Sequence, residues 1–399
     1  MTNIPRTYEK IIQNHFLQNR QMVFLSGPRQ VGKTTICEDI ATRYFNWDYL
    51  ADRTLLLRGE DAVAEESGLQ QKRSQLPTLV FDEIHHYEKW KLFLKGFFDI
   101  FGKRAHILVT GSSRLDVFKK FGDSLMGRYF PYRMHPLSVG ELLHPVPPEQ
   151  EIAPPSEPNA DDFKNLVEHG GFPEPFQNRS AAFSRRWRRL RTEQLIRDDL
   201  RKGTNIHELE QLEVLASLLA NRSGGQLVYA SLAREIQVSE ITVRTWIDVL
   251  QSFFFGFTVR PWFANVENSL RKSPKWYLRD WSGISDEGAR NETMLACHLL
   301  KAVDMWSDLG LGDYGLYYLR DKQQREVDFL VSRNDMPWIL VESKTSDTHL
   351  SPSLAYMQAQ TSAPIAVQTV AALPFDVVNC FEPGAPEVVP LSSFLSQLP

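Results

Sequence analysis

Short apolar runs alternate with amphipathic segments of helical period through the first part of the chain. These runs are found at residues 22–25, 44–50, 78–81, 106–109 and 129–134. Apolar runs of this length that are separated by helical patterns are typical of parallel strands packed between helices. The five runs therefore predict an α/β domain with a parallel sheet, and we assign residues 1–144 to it.

A proline-rich stretch ends this alternation. Residues 145–160 hold six prolines among acidic and small residues, a composition that neither packs well nor forms a helix, so we predict a flexible linker. Helical patterns follow in residues 161–208 and in residues 209–274. From residue 275 to the C-terminus, strand and helix patterns alternate again, which predicts a second α/β domain.

The patterns of residues 209–274 predict three helices and a β wing at residues 253–260. One helix has Ser239 as its N-cap and carries apolar residues at the spacing i, i+3, i+4, i+7. These residues are Val243, Trp246, Ile247 and Leu250. The layout is typical of a winged helix-turn-helix. It leaves Arg244 and Thr245 on the outer face, where we expect them to contact DNA; a lid that contacts protein is the alternative.

Composition is that of an ordinary globular protein with several domains, since the 399 residues carry 42% hydrophobic and 24% charged content. A formal net charge of -4 excludes a uniformly basic nucleic-acid coat but not a local basic patch. Three widely spaced cysteines fit neither a disulfide framework nor a metal site. The sequence shows no secretory signal and no apolar run of membrane-spanning length, so we expect a cytoplasmic location and no membrane partner.

A glycine-rich motif joins the first predicted strand to a helical pattern at residues 34–44. Residues 27–34 read Gly-Pro-Arg-Gln-Val-Gly-Lys-Thr, which fits the P-loop spacing in the strand-loop-helix setting that this motif requires. Backbone N–H groups of such a loop form an anion nest, and the helix directs its positive end at phosphates. We therefore expect this loop to bind ATP. The binding residues are Gly27, Pro28, Arg29, Gln30, Val31, Gly32, Lys33, Thr34 and Thr35.

The chemistry of ATP hydrolysis gives four residues further roles. Lys33 is expected to bridge the β and γ phosphates, and the hydroxyl of Thr34 to ligate Mg²⁺. Asp82 is a second expected metal ligand, because a buried parallel strand delivers its C-terminal residues to the ligand crevice. The next residue, Glu83, is the candidate general base that polarises the attacking water. The sequence therefore predicts a P-loop ATPase.

Polar residues near the last two predicted strands are candidates for a sensor and an arginine finger. Ser112 or Thr110 follows the run at 106–109, where a hydroxyl would sense the loss of the γ-phosphate; a serine-rich turn is the alternative. Arg128 precedes the fifth strand, and Arg114 competes with it for the cation that reaches the γ-phosphate across a subunit interface. A plain surface arginine is the alternative for both.

An arginine-rich stretch lies within residues 161–208. Arg185, Arg188 and Arg189 belong to a basic run that continues to residue 202, and a helix of this kind can follow a phosphate backbone. The alternative is a solvated or interdomain helix whose arginines pair with acidic neighbours such as Glu193, since charge runs are usually solvated faces.

The predicted C-terminal domain carries three carboxylates and a lysine that are candidates for a metal-dependent site. Its helix, three strands, helix and strand are similar to the restriction-endonuclease-like core, whose signature is Asp and then Glu-x-Lys. Alternation along a strand puts Glu342 and Lys344 on one face. Asp328 would bind magnesium with Glu342, Glu292 would add a ligand, and Lys344 would activate a water. An inert relative that holds DNA or contacts a subunit is the alternative.

Together these motifs resemble those of the bacterial and archaeal AAA-type ATPases that carry a C-terminal domain of unknown function. The resemblance rests on residues 27–35, 79–83 and 110–113, on Gly127 and Arg128, and on residues 136–138 with Glu141. It implies a P-loop ATPase core, a helical segment, a winged-helix region and a nuclease-like C-terminal fold.

The leading hypothesis from the sequence is an ATPase that couples its nucleotide state to DNA binding or remodelling. A homo-oligomer is expected, because AAA-like sites are often completed by a neighbouring subunit. The alternatives are a regulatory switch ATPase that acts through protein contacts and a DNA nuclease that is gated by ATP.

Overall fold

The structure is a computed structural model that describes residues 4–71, 74–111, 125–200, 208–262 and 273–399, without the side chains of residues 198 and 199. The chain divides into two compact units. The N-terminal unit is Ile4–His135, and the C-terminal unit begins at Pro136 and continues to Pro399.

The N-terminal unit is built on a parallel sheet with the strand order β2-β3-β4-β1-β5. Its strands are β1 Met22–Ser26, β2 Arg43–Asn46, β3 Thr78–Asp82, β4 His106–Gly111 and β5 Tyr129–Arg133. Its helices are α1 Thr7–Gln18, α2 Lys33–Ile40, α3 Leu50–Leu57, α4 Glu60–Glu66 and α5 Trp90–Phe101, with a 3₁₀ turn at Ile84–His86. The predicted N-terminal parallel sheet is confirmed.

Burial on both faces explains why these strands read as continuous apolar runs. All five residues of β1 are buried, and α5 covers one face of the sheet with aromatic side chains at helical spacing. Phe93 and Phe97 of α5 pack against Phe81 of β3, and each fully buried side chain of this size contributes about 1.5–3 kcal/mol. Since the strands are parallel, β1, β3 and β4 place their C-terminal ends at the same edge of the sheet.

One strand prediction is too long at its end. The apolar pattern at residues 44–50 predicts a strand, whereas β2 ends at Asn46. There the Asn46 side chain accepts a hydrogen bond of 2.8 Å from the backbone N–H of Asp48, which is the turn that Asn side chains commonly form. Helix α3 then begins at Leu50. Local turn chemistry therefore overrides the apolar pattern.

The C-terminal unit contains a mixed sheet with the strand order β12-β11-β10-β9-β8-β6-β7. Its strands are β6 Gly256–Pro261, β7 Lys275–Leu278, β8 Tyr314–Arg320, β9 Glu326–Arg333, β10 Met336–Lys344, β11 Ile365–Val370 and β12 Glu387–Pro390. Its helices are α6 Val139–Leu143, α7 Ala160–His169, α8 Pro173–Asn178, α9 Ala181–Gln194, α10 Leu209–Ala220, α11 Tyr229–Ile236, α12 Glu240–Ser252, α13 Glu287–Asp308, α14 Pro352–Thr361 and α15 Leu391–Ser396. A π-helical turn follows α9 at Leu195–Leu200, and a 3₁₀ turn lies at Trp281–Gly283.

The predicted wing corresponds to β6, and its pairing extends beyond a simple hairpin. Strand β6 pairs antiparallel with β7 and parallel with β8. The segment that the sequence assigns to a separate winged helix therefore shares its strands with the sheet of the last predicted domain. The proposed boundary at residues 274 and 275 falls between two strands that are hydrogen-bonded to each other.

The proline-rich segment forms neither helix nor strand between residues 145 and 159, yet its middle is fixed to the C-terminal unit. The backbone carbonyl of Glu151 accepts from Trp306 Nε1 at 2.9 Å, and its carboxylate accepts from Tyr314 at 2.6 Å. The N–H of Ala153 donates to the carbonyl of Gln397 at 3.0 Å. Composition alone predicted a flexible linker, and these contacts hold that segment in place.

A buried ion pair organises the start of the C-terminal unit. Lys301 Nζ lies 2.6 Å from Glu141 Oε2 and 2.7 Å from Ser138 Oγ, and both members of the pair are almost fully inaccessible. Gly140 lies between Ser138 and Glu141 in the sequence, and a Cβ on it would lie 1.8 Å from the carbonyl oxygen of Leu398. These residues of the motif at 136–141 therefore have packing roles within this unit.

Candidate functional site

The P-loop connects β1 to α2 and requires glycine at two points for different reasons. A Cβ on Gly27 would lie 2.4 Å from the carbonyl oxygen of Met134, so only glycine fits against this backbone. Gly32 has φ of +104°, which L side chains rarely adopt. Gln30 also has a positive φ, of 62°. The loop is therefore held in the tight turn that brings N–H groups towards an anion.

Lys33 is buried in this loop, and the hydrogen bonds of its ammonium group go to the loop itself. Its Nζ donates to the carbonyl oxygens of Gly27 and Pro28, both at 2.8 Å. Burial lowers the pKa of Lys33 to about 8, although the charges of Glu83 and Asp82 raise it. A buried cation whose hydrogen-bond acceptors are neutral is poorly compensated. Lys33 is therefore suited to receive an anion.

Asp82 lies at the end of β3 and is buried, with hydroxyl groups as its hydrogen-bond donors. Tyr44 of β2 donates to Oδ2, and Thr110 of β4 donates to Oδ1. Burial and the hydrogen bond to Asp82 raise the pKa of Tyr44, so this hydroxyl stays protonated. The parallel register of neighbouring strands brings these side chains together. No ion pair of Asp82 is formed among the described residues.

Glu83 follows Asp82 in the left-handed region, with φ of 52°. Its Oε2 lies 3.4 Å from His85 Nδ1 and 3.7 Å from His86 Nε2, and one ligand atom from each of the three residues lies within 4.8 Å of the others. Burial, together with the nearby positive charges, lowers the pKa of His85 to about 3. His85 is therefore neutral at physiological pH, and the carboxylate of Glu83 has imidazole neighbours that the sequence analysis missed.

Another residue that the sequence analysis missed is Arg6, which holds the P-loop from outside the motif. Its guanidinium donates to the carbonyl of Val31 at 2.5 Å and to the carbonyl of His135 at 2.7 Å. Arg6 precedes α1 and is buried. A motif search cannot find such a residue, because its partners lie 25 and 129 positions away along the chain.

The remaining predictions around the P-loop have mixed outcomes. Arg128 binds Asp99 in a two-pronged pair, with Nε 2.8 Å and Nη2 3.0 Å from the carboxylate oxygens. Arg29, Gln30, Thr34 and Thr35 are exposed. Ser112 and Arg114 lie outside the described residues, so Thr110 is the sensor candidate whose position the structure describes. The roles of all these residues remain predictions.

Helix α12 has the division of faces that its sequence pattern predicts. Its predicted apolar residues are buried, and Ser239 caps the helix by accepting from the N–H of Thr242 at 3.0 Å. Arg244 and Thr245 are exposed. The guanidinium of Arg244 stacks over Tyr229, 3.8 Å from the ring centroid. This surface is open to a partner, while its identity as a recognition helix remains a prediction.

The predicted nuclease-like residues approach one another, but a lysine from β7 lies among them. Lys275 Nζ is 2.8 Å from Glu326, 3.0 Å from Asp328 and 3.3 Å from Glu292. Burial lowers the pKa of Lys275, but the three carboxylates outweigh burial and raise it above its usual value. Tyr277 donates to Glu292 at 2.7 Å. The ammonium group of Lys275 therefore compensates part of the negative charge of this carboxylate cluster.

Glu342 and Lys344 share a face of β10, as strand alternation predicts, and form an ion pair of 2.8 Å. Burial and the charge of Asp328 raise the pKa of Glu342. Its Oε2 is buried without a hydrogen-bond partner among the described residues. Asp328 accepts from the N–H of Ser343 at 3.0 Å, so it also bridges β9 and β10. The sequence analysis found these residues but missed Lys275, a lone charge in an apolar strand.

The arginine-rich stretch forms α9, and its residues differ in their surroundings. Arg185 and Arg189 are exposed, and Arg189 lies 3.6 Å from Glu193 on the same helix. Arg188 is half-buried and donates to Ser282 at 2.9 Å. All three line one cavity of the C-terminal unit.

In the part of the chain that the structure covers, no helix is long and apolar enough to cross a membrane.

Comparison with known families divides the chain into three matched segments. Residues 19–143 match the model of an AAA domain. Residues 160–285 match a domain of unknown function, DUF8612, and residues 287–372 match another, DUF4143. The first match covers the P-loop, Asp82 and Glu83, and it agrees with the resemblance seen in the sequence.

Similar proteins have been recorded in bacteria and archaea. Uncharacterized proteins of Mycobacterium tuberculosis and Mycobacterium bovis are 28% identical over 351 residues, which cover 85% of this chain and 74% of theirs. An uncharacterized protein of Methanocaldococcus jannaschii is 24% identical over 302 residues, which cover 67% of this chain and 62% of its own. An alignment over 85% of this chain includes at least part of the AAA segment and most of the C-terminal unit.

Among solved structures, a chain from the Drosophila ORC bound to AT-rich DNA and Cdc6 is similar at 10% identity. The match covers 72% of this chain and 92% of that chain with a TM-score of 0.22, at which no functional conclusion follows. The family matches and the parallel sheet lead to one coarse assignment. The chain carries a P-loop ATPase-like AAA domain, followed by two domains of unknown function.

Proposed function

We propose that the chain binds ATP with Mg²⁺ at the P-loop and hydrolyses it, and that its nucleotide state controls contact with DNA. The observation that carries the ATP proposal is the state of Lys33 and Asp82. A buried ammonium group bonded to neutral carbonyls lies in the same site as a buried carboxylate bonded to hydroxyls. Both charges are available to a ligand that carries phosphates and a cation.

The residues present fit the expected ligands by type. The loop N–H groups and Lys33 would hold the phosphates, and Thr34 with Asp82 would hold magnesium. Mg²⁺ held there would supply positive charge that stabilises the negative charge developing on the phosphate oxygens. Glu83 would orient and deprotonate the attacking water, since a carboxylate can act as a general base when it lies within hydrogen-bond reach of the proton it removes. Thr110 would link the γ-phosphate environment to Asp82 through its hydroxyl.

A titration with a fluorescent ATP analogue and a measurement of phosphate release, each with and without Mg²⁺, test this proposal. We expect saturable binding and slow magnesium-dependent turnover. A protein with neither property would have no nucleotide function at this loop.

Oligomerisation would complete the site. The half-buried Arg128 is the proposed arginine finger, which would reach the γ-phosphate of a neighbouring subunit after it leaves Asp99. Because Arg128 and Asp99 already form a two-pronged pair, the finger is held in reserve in the isolated chain. A homo-oligomer with ATP turnover that depends on protein concentration is the expected behaviour.

Contact with DNA is proposed for the outer face of α12. Its support is the exposure of Arg244 and Thr245 beside a fully packed apolar face, together with the stacking that orients the Arg244 guanidinium on Tyr229. Arg185, Arg188 and Arg189 are a second proposed phosphate-contact surface. A regulatory switch that contacts protein through these surfaces is the alternative, and DNA that neither binds nor changes ATP turnover would favour it.

The DNA proposal is tested by fluorescence anisotropy with labelled double-stranded, single-stranded and four-way DNA at several salt concentrations. Arg244→Glu is expected to weaken binding uniformly and to reduce the salt slope by about one or more, because one or more phosphate contacts are lost. Lys164→Glu, an exposed position on α7, makes the same change in net charge and serves as the control. Equal effects of both variants would remove α12 from the DNA site.

Nuclease activity is the third function that the sequence allows, and Lys275 weighs against it. A two-carboxylate metal site needs uncompensated oxygen ligands, whereas Glu292 and Asp328 already bind an internal ammonium group. We therefore propose that the nuclease-like unit does not cleave DNA. Incubation with linear and branched DNA and Mn²⁺, beside Lys344→Ala, would overturn this proposal if it gave a product that the variant does not.

A further inference from the structure

A cavity of about 430 Å³ lies in the C-terminal unit, and four arginines of one helix line it. They are Arg185, Arg188, Arg189 and Arg191 of α9. The other walls come from α10 and from the turn at residues 280–283, with Phe255 and Leu278 as apolar surface. The volume lies in the range of small-molecule sites.

Arg191 is the lining residue whose surroundings most favour a bound ligand. Its guanidinium stacks 4.1 Å from the ring centroid of Phe172 and 5.5 Å from that of Trp187. Its Nε is inaccessible to solvent and has no hydrogen-bond partner in the part of the chain that the structure covers. Burial lowers the pKa of Arg191 to about 10, although Asp280 raises it. Aromatic stacking holds the cation in place without supplying an acceptor.

The opposite wall is fixed by a chain of hydrogen bonds. Arg188 Nη1 donates to Ser282 Oγ at 2.9 Å, and Ser282 Oγ donates to Asp280 Oδ1 at 2.7 Å. A Cβ on Gly283 would approach Arg188 Nε to 3.1 Å, so glycine leaves room for this guanidinium. Hydrogen bonds therefore fix this wall in place, and Asp280 Oδ2 is a buried polar atom of the wall that has no hydrogen-bond partner among the described residues.

Positive charge predominates in the cavity. The acidic residues that line it are Glu193, Glu213 and Asp280, against four arginines. Glu213 is itself bonded to Arg197 at 2.8 Å, outside the set of lining residues. The cavity therefore combines unmatched cationic groups with an apolar wall.

We propose that this cavity binds a small phosphomonoester whose organic part contacts the apolar wall. Planar guanidinium groups match a phosphate with paired hydrogen bonds, and Phe255 and Leu278 suit an aromatic or aliphatic body. The phosphomonoester comes from one of two sources, a free small molecule or the 5′ end of a nucleic acid. This site is separate from the P-loop in the chain, and the proposal stands without ATP hydrolysis or DNA contact by α12.

The test is calorimetric titration of the full chain with phenyl phosphate and with inorganic phosphate. Every variant carries Lys33→Ala, so that the P-loop contributes no phosphate binding. We expect one phenyl phosphate to bind per chain, more tightly than inorganic phosphate. Arg191→Gln should weaken this binding about tenfold or more, as expected when hydrogen bonds to a charged group are lost.

Two controls separate the cavity from general charge. Arg186→Gln changes an exposed arginine of the same helix that does not line the cavity, and it should leave the affinity within about twofold. Asp280→Asn should tighten binding, because it removes a negative charge but keeps an acceptor for Ser282. Absence of saturable binding, or equal losses in Arg186→Gln and Arg191→Gln, would overturn the proposal.

A cavity-filling variant covers the case in which Arg191→Gln does not fold. Ala220→Trp, at the end of α10, places a large side chain in the cavity and leaves the arginines of α9 unchanged. Loss of phenyl phosphate binding with an unchanged circular-dichroism melt supports the proposal, and retained binding refutes it. Competition by a 5′-phosphorylated oligonucleotide, but not by its 5′-hydroxyl form, identifies a nucleic-acid end as the source; failure of both to compete identifies a free small molecule.

Discussion

Each unit of this chain places a buried lysine near carboxylates, but the two lysines are used in opposite ways. In the N-terminal unit Lys33 donates to two backbone carbonyls, and the nearby Asp82 accepts from hydroxyl groups. In the C-terminal unit Lys275 lies 2.8–3.3 Å from three carboxylates. The first site keeps its opposite charges apart, whereas the second pairs them.

The two sites have similar patterns of charged residues, but they differ in how far the protein compensates those charges. Both sites carry acidic and basic residues at spacings that are typical of phosphate or metal chemistry. A ligand gains most where the protein has not already compensated its own charges, because a buried charge without a partner is more costly than a paired one. By this criterion the P-loop is prepared for a ligand, and the cluster around Lys275 is closed.

The strongest test of the prepared site is Lys33→Ala. We expect ATP affinity to fall by at least about 10- to 100-fold, as hydrogen bonds to charged groups are worth ~1.5–3 kcal/mol, and ATP turnover to be lost. The unfolding free energy should change little, since the acceptors of Lys33 are neutral carbonyls. Titration with a fluorescent ATP analogue and urea unfolding measure both quantities.

Lys103→Ala provides the control for this variant, because Lys103 is an exposed lysine of the same unit. It should leave affinity, turnover and stability unchanged. A Lys33→Ala protein that still bound and hydrolysed ATP would end the distinction between the two sites.

A smaller effect on the same site is expected from Glu83→Gln. Turnover should fall by about 10²–10⁴-fold, the range for loss of a general base, while ATP binding persists because the phosphate-binding groups are intact. Single-turnover phosphate release and equilibrium titration separate these effects. Glu88→Gln, at an exposed position, is the matched control. If Glu83→Gln weakened binding but left single-turnover hydrolysis unchanged, its role would be structural.

The sequence predicts the strands and the loop that carry the prepared site because each of these elements is local. The P-loop and the end of β3 each lie within one short segment, and buried parallel strands place those segments at one edge of the sheet. Sequence reasoning also identifies the buried face of α12 and the shared face of Glu342 and Lys344. Periodicity is sufficient in these cases.

The residues of the sites that the sequence does not predict are those whose roles depend on tertiary contacts. Arg6 supports the P-loop through the carbonyls of Val31 and His135, and Lys275 meets Asp328 across 53 positions of sequence. No local pattern encodes such partners. The motif at residues 136–141 also has partners that are distant in sequence, although it lies within the segment that matches the AAA domain. In the structure Ser138 and Glu141 bind the buried Lys301 of the C-terminal unit.

The closed cluster is tested by Lys275→Met, which replaces a cation with an apolar side chain of similar length. Three carboxylates would lose their shared partner, and removal of one member of a buried charge cluster typically costs about 3–5 kcal/mol. Urea unfolding should therefore show a loss of this size, with unchanged ATP binding. Millimolar Mn²⁺ should restore part of the lost stability, because the variant exposes oxygen ligands to a divalent cation.

Lys301→Met is the control for Lys275→Met. Lys301 is also a buried lysine, and it pairs with the carboxylate of Glu141 in another part of the C-terminal unit. Its loss should destabilise the chain by a similar amount, and Mn²⁺ should restore less stability than in Lys275→Met, since the acceptors of Lys301 include the neutral Ser138 Oγ and the carbonyl of Pro136. Rescue confined to Lys275→Met would identify Lys275 as an internal replacement for a metal ion. Stabilisation of the unaltered chain by Mn²⁺, to the same extent as the variant, would instead show that the cluster is open, and the contrast between the two lysines would be lost.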